Sequence, residues 1–355
     1  MATQENTNSQ SPTLTPPTQL SATISGLLGG LGTNGKSKVP KQNQSVISQD
    51  KQSNLQLPTS TSPEKYDDIA ERKHRYELQN AASILLPNSS ISRCLRFKQS
   101  TINDVSIVLN KQTNTATYKG LQTCSNVWAC PVCAARISEQ RRLEVDHATK
   151  EHIKAGGEIL MLSLTVKHTA VDDLTNLIKC QSKALAGFTG SKLTQKILKA
   201  VGHIGSIRAF EVNHSQNNGW HPHHHILLFI DAGADKGKLE SELFSQWSHH
   251  CIKAKLQAPS QQHGLRVTDG ANASRYVVKH GLDTVEDGDS SNKGRTPFNL
   301  LSDYRKGDKQ AGALFIEYAA AVKGKSQLFW SRGLKKLFKI DEFKERERNR
   351  KAREK

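Results

Sequence analysis

Trp220-His221-Pro222-His223-His224-His225 runs straight into the apolar stretch Ile226-Leu227-Leu228-Phe229-Ile230. In an extended strand successive side chains alternate faces, so His223 and His225 project together. Two imidazoles on one rigid strand make half of a divalent-metal site. His221 shares their parity, but Pro222 marks where the strand begins, and the placement of His221 is less definite. Glu211 precedes a hairpin signal and can offer a carboxylate across from the pair. An apolar strand that happens to begin with polar residues would account for one such histidine. A His-x-His pair facing a carboxylate favours a metal, and this donor set accepts Mn, Mg or Zn alike.

A second cluster is sulfur. Cys124, Cys130 and Cys133 follow the spacing C-x5-C-x2-C around Trp128-Ala129-Cys130-Pro131-Val132-Cys133. A Cys-Pro-x-Cys knuckle presents two thiolates to one tetrahedral ion, and Cys124 with the more distant Cys94 can complete it. The alternative is a redox pair or small buried thiols, since this Cys-x-x-Cys introduces a helix. No strand rich in Val and Ile leads into it and further cysteines stand close by, so structural zinc is favoured. Cys180 and Cys251 fall within helical patterns and read as core. A third group is Tyr276, Lys279 and His280, spaced to lie near one helix face. A phenol of pKa near 10 is a poor nucleophile at neutral pH unless a cation assists it. Taken alone, an amphipathic helix with a half-buried tyrosine explains the same residues.

These groups need elements to hold them. Three strands are expected at Ile159 to Val166, Ile207 to Val212 and His223 to Ile230. The last two are joined by the hairpin loop His214-Ser215-Gln216-Asn217-Asn218-Gly219. Helical patterns occupy 134–155, 171–186, 191–200 and 238–256. A short strand, Leu265 to Thr268, leads into a helix opened by Asp269 or Asn272 and closed by Gly281. This mixture predicts an α+β fold around an antiparallel sheet.

The 355 residues carry a formal charge of +17, with 50 Lys and Arg against 33 Asp and Glu. Such a surplus favours a polyanionic partner, although solubility alone can also require it. No run of 18 apolar residues occurs, which argues against a membrane span. Leu20 to Leu31 is too short and glycine-broken for a signal peptide. The expected location is therefore cytoplasmic, where six cysteines stay reduced. Residues 1–65 are rich in Ser, Thr, Gln, Asn and Pro and read as a disordered polar tail. The stretch 341–355 is a charged tail, either a solvated helix or a contact to the DNA backbone.

The histidine segment resembles the His-hydrophobic-His signature of HUH endonucleases, especially the rolling-circle plasmid replication initiators. In that family a Trp-His-Pro-His-x-His run follows a Glu on the neighbouring strand. His224 departs from the pattern, standing where a hydrophobic residue is usual. Tyr276-Val277-Val278-Lys279 matches the family's Tyr-x-x-Lys motif. Trp128-Ala129-Cys130-Pro131-Val132-Cys133 resembles a cysteine-rich segment found ahead of the catalytic strands in many relatives. Met161 to His168 is similar to the upstream strand motif. Thr296 to Leu301, Phe315 to Ala319 and Trp330 to Leu334 look like the C-terminal helices. The likeness spans about residues 90 to 338.

The resemblance implies an HUH-type palm, with a central antiparallel sheet flanked by helices and preceded by a zinc-binding segment. It divides the chain into a cysteine-rich segment with a long helix at 90–155, a nuclease core at 156–285 and a helical part at 286–340. Tyr276 would attack the DNA, Lys279 would contact phosphate, and His223, His225 and Glu211 would hold Mg²⁺ or Mn²⁺. A relative of the two-tyrosine type has a second tyrosine where His280 stands, so the chain resembles the one-tyrosine type. No Glu lies within a turn of Tyr276 to activate water at termination; Asp269 and Asp283 are the nearest acids. The implied partners are plasmid origin DNA, single-stranded or hairpin, with a host helicase and DNA polymerase. A single-tyrosine transposase or relaxase would use the same chemistry. A zinc-stabilised DNA-binding regulator without catalysis would explain charge and cysteines, but would leave the two catalytic motifs as coincidences.

Overall fold

The computed structural model describes residues 63–100, 104–110, 115–271 and 294–342. Most of the expected polar tail, the charged tail from 343, and the helix carrying Tyr276, Lys279 and His280 lie outside the described residues.

Five strands form one wholly antiparallel sheet: β3 (Gly157–Thr165), β4 (Gly205–Ser215), β5 (Gly219–Asp231), β6 (Leu265–Asp269) and β7 (Leu328–Trp330). Their order is β6-β3-β5-β4-β7. The expected mixture of helices and an antiparallel sheet is thus present. Upstream, β1 (Ser106–Asn110) and β2 (Thr115–Lys119) pair as a separate antiparallel ribbon.

Strand β5 begins four residues before His223. Pro222 sits inside it, opposite Val212 on β4. A proline inside a central strand would normally remove a ladder hydrogen bond. Here β3 ends at the Thr165–His223 pair, so β5 has a neighbour on one side only at Pro222. The missing N–H therefore costs nothing on the open side. Trp330, expected in a C-terminal helix, instead ends β7 at the sheet edge, and the helix begins at Leu334.

Helix α1 (Pro63–Leu85) is followed by α2 (Pro131–Lys154), α3 (Leu174–Gly190), α4 (Lys192–Ala200), α5 (Lys236–Lys253), α6 (Pro297–Arg305), α7 (Lys309–Ala321) and the short α8 (Leu334–Leu337). Their starts are written locally. Asp173, Ser191, Asp235 and Asp308 each accept an otherwise unpaired N–H of the first turn, and Thr296 with Asn299 forms a capping box ahead of Pro297.

The two sheet faces are distinct. One carries Leu160, Leu162, Leu164, Ile226, Leu228 and Ile230, buried against α3 and α5. The other carries Ile159, Ile207, Ala209, Leu227 and Phe229, covered by Val145 and Ala148 of α2 and by Leu334 and Phe338. Apolar side chains fill this second face at one end only. At the other end the same alternation brings up Ser163, Glu211, His223 and His225.

Two candidate metal centres

The sulfur centre is assembled from three places. Cys94 follows a 3₁₀ turn (Ser90–Arg93), Cys124 lies in the loop after β2, and Cys130 and Cys133 flank the start of α2. Pro131 at the first helical position needs no N–H partner and turns the chain so that both thiols face inward. All four cysteines are free, and their sulfurs lie within 4.8 Å of one another. Cys94 Sγ is 3.6 Å from Cys133 Sγ, Cys124 is 3.7 Å from Cys133, and Cys130 is 4.0 Å from Cys94. A disulfide needs about 2.05 Å. Zn–S bonds of about 2.3 Å in a tetrahedron place sulfurs about 3.8 Å apart, which matches these separations.

The surroundings suit thiolates. The Cys124 N–H points at Cys94 Sγ, the Asn126 N–H at Cys124 Sγ, and Gln79 Nε2 of α1 at Cys130 Sγ. Within the cluster the thiols share protons unequally. Hydrogen bonds from Cys124 and Cys130 hold the Cys133 thiol down at about 2, and one from Cys130 lowers Cys94 to about 7. Cys124, despite a bond with Cys130, is pushed up to about 12 by Cys133 and burial, and Cys130 is pushed far up by its bonds to Cys124 and Cys133. The cluster is packed among Leu78, Ala82, Ile91, Trp128, Phe298 and Phe315. Trp128 donates from Nε1 to the Lys325 carbonyl at 3.0 Å, tying this centre to the chain after α7.

The histidine centre is built by the β4–β5 hairpin. Glu211 and His223 are directly opposed in the register, as are Ala209 and His225. His223 Nε2 lies 3.0 Å from Glu211 Oε2, and His225 Nε2 lies 3.9 Å from the same oxygen. The far ring nitrogens are engaged elsewhere. His223 Nδ1–H donates to the His221 carbonyl at 3.3 Å, and His225 Nδ1 bonds Ser163 Oγ at 3.0 Å. At 3.0 Å the His223 Nε2 and the Glu211 oxygen either share a proton or stand as two adjacent ligands of one ion, and that spacing suits both. Burial keeps His225 below its ordinary pKa, against the opposing pull of Glu211, so the ring stays neutral and ready to ligate. One carboxylate and two imidazoles therefore fit a divalent ion with open positions.

The neighbours divide by parity. His224 points to the opposite face, stacks 4.7 Å from the Phe210 ring, and is held neutral, at about 3, by burial and then by Arg208. His221 lies on the ligand side, where His168 Nε2 meets its Nδ1 at 2.7 Å. Ser163 and His168 escaped the sequence reading as partners. Alternation along β3 could have found Ser163, whereas His168 follows that strand and reaches His221 only through tertiary folding.

Of the two described tyrosines in the C-terminal helices, Tyr304 is half-buried and Tyr318 is not accessible. Tyr318 is buried, and burial together with Glu211 pushes its phenol well above the ordinary value.

Residues 116–248 match the family model described as "Replication protein". The chain is similar to "Protein rep" of Streptomyces lividans, 23% identical over 315 residues covering 66% of this chain and 68% of that one. It is also similar to "Neomycin resistance protein" of Streptomyces cyanogenus, 28% identical over 135 residues and 31% of each chain. A third relative is "Protein rep" of Lentilactobacillus hilgardii, 28% identical over 123 residues, 34% of this chain and 37% of that one. The chain thus spans about a third of the length of the latter two. No solved structure matches it. The segment 116–248, which holds the Cys130–Cys133 knuckle, Glu211 and the histidine strand, is the part of the chain that matches the replication protein family model.

Proposed function

We propose that this chain is a rolling-circle plasmid replication initiator with an HUH-type palm, nicking one DNA strand at the origin. The observation that carries the reading is the convergence of His223, His225 and Glu211 at the open end of one sheet face. The nuclease core is assigned to 156–285, with the cysteine segment at 90–155 before it and helices at 286–340 after it.

Each residue has a defined task. His223 and His225, oriented by the His221 carbonyl and Ser163, would hold a divalent ion together with Glu211. Such an ion supplies Lewis-acid polarisation of the scissile phosphate. The Tyr276 oxygen attacks phosphorus as its proton departs, the P–O3′ bond breaks, and a 5′-phosphotyrosine link and a free 3′-hydroxyl result. Lys279 contacts the phosphate and offsets its developing charge. One phosphodiester bond is exchanged for another, so rejoining needs no ATP. Cys94, Cys124, Cys130 and Cys133 hold structural zinc. Origin DNA, single-stranded or hairpin, is the substrate in the cytoplasm, with a host helicase and polymerase extending the 3′ end.

Incubating the full chain with single-stranded origin DNA and Mn²⁺ tests this reading. The expected products are a covalent protein–DNA adduct and an extendable 3′ end, both lost in chelator. Failure of every single-stranded origin fragment to form an adduct overturns the reaction class and leaves the non-catalytic regulator.

A further inference from the structure

The sheet face opposite His223 and His225 holds a cavity of about 340 Å³, closed over by α3 and α4. Leu162, Ile226, Leu228 and Phe188 give it an apolar wall. Arg208 and Lys199 also line it, and no Asp or Glu does. The larger groove nearby, between α4 and α5, contains Asp231, Asp235 and Glu242, so the two neighbouring hollows differ in charge.

Arg208 is half-buried, and its guanidinium lies 4.9 Å over the Phe329 ring. Among the described residues it has no hydrogen-bond or ion-pair partner. Burial alone holds its pKa below the ordinary value. A guanidinium withdrawn from water without an anion is costly, and natural proteins almost always pair it. Two further lining groups are buried and unpartnered: Thr194 Oγ1 on α4 and His203 Nε2 in the loop before β4. Such orphaned polar groups mark a missing ligand or solvent.

We infer that this cavity binds a small organic phosphomonoester of nucleoside monophosphate size, its phosphate on Arg208 and Lys199 and its body on the apolar wall. A planar guanidinium suits bidentate phosphate recognition, and the Thr194 hydroxyl and His203 ring supply the remaining polar contacts. The volume holds about eleven waters at ~30 Å³ each, and falls at the lower end of ordinary ligand pockets. The site is separate from the ligand-bearing face and does not depend on nicking.

Thermal melting and calorimetry of the full chain in chelator provide the test. Millimolar dAMP or dTMP is expected to raise the melting temperature by a few degrees, and deoxyadenosine to leave it unchanged. A 5′-phosphorylated oligonucleotide run alongside shows whether the phosphate is taken from a free nucleotide or a strand end. Arg208→Met should weaken binding at least tenfold. Lys199→Ala, at an exposed position of α4 that tolerates truncation, should weaken it severalfold even if the Arg208 variant folds poorly. His223→Ala should keep the full shift, separating this cavity from the other face. No shift with any phosphomonoester, or one unchanged in both cavity variants, overturns the assignment and leaves the cavity to solvent.

Discussion

The two ligand clusters are similar in composition of purpose and opposite in setting. The four cysteines are walled in by α1, α2, α6 and α7, with Cys94 and Cys130 fully buried. They offer four thiols, enough for a complete tetrahedral set. Glu211, His223 and His225, of which His223 is buried and the other two half-buried, could supply three, which would leave positions for a phosphate or water. Closed four-ligand sites stabilise, and open three-ligand sites react. The contrast assigns the first centre to the fold and the second to chemistry, and it can be broken from either side.

The largest effect is expected at the closed centre. Cys130→Ser removes a buried ligand shared by α1, the 3₁₀ turn and α2, and should lower the melting temperature by about 10 °C or more, with loss of bound zinc. Metal analysis and calorimetry check this; an unchanged melting temperature in a zinc-free variant would remove the structural role. Next comes the open centre. His223→Ala with His225→Ala should reduce nicking by roughly 10³-fold or more, as loss of Lewis-acid assistance worth several kcal/mol requires. Its melting temperature should stay within a few degrees of the parent's.

Smaller effects sharpen the contrast. Ser163→Ala frees His225 Nδ1 while leaving all three candidate ligands in place, and should weaken Mn²⁺ binding about 10–100-fold with the zinc content unchanged. A titration of Mn²⁺ against nicking rate reads it directly. His224→Leu is the mildest. It removes a buried imidazole whose Nδ1 has no partner, and restores an apolar side chain on the face away from the ligands. Stability should be equal or raised by about 1 kcal/mol, with nicking unaltered; a marked loss of nicking would show that His224 acts through the ligands.

Much of this contrast was legible in the residues themselves. Alternation along 223–230 put His223 and His225 on one face, and the hairpin loop at 214–219 brought Glu211 across from them, because strand period and turn chemistry are local. The Cys-Pro-x-Cys knuckle was equally local, whereas Cys94 joins it from thirty residues upstream of Cys124 through folding. Strand β7 was missed because three residues carry no period and, among the described residues, Leu328-Phe329-Trp330 pairs only with β4. Pro222 hid the first part of β5, since whether a proline is tolerated depends on where β3 stops. The α1 helix and the β1–β2 ribbon passed unnoticed, their apolar residues being sparse among charged and polar ones. Arg208 gave no signal at all: a lysine or arginine in a strand reads as solvent-facing until α3 and α4 close over it.

Peptide mapping of the covalent adduct tests the central claim most directly. After cleavage of single-stranded origin DNA in Mn²⁺, the nucleotide should be found on Tyr276. Tyr276→Phe, which keeps the ring and removes only the attacking oxygen, should bind the same DNA and form no adduct. A nucleotide on Tyr304 or Tyr318, or an undiminished adduct in Tyr276→Phe, would contradict the assignment of the nucleophile.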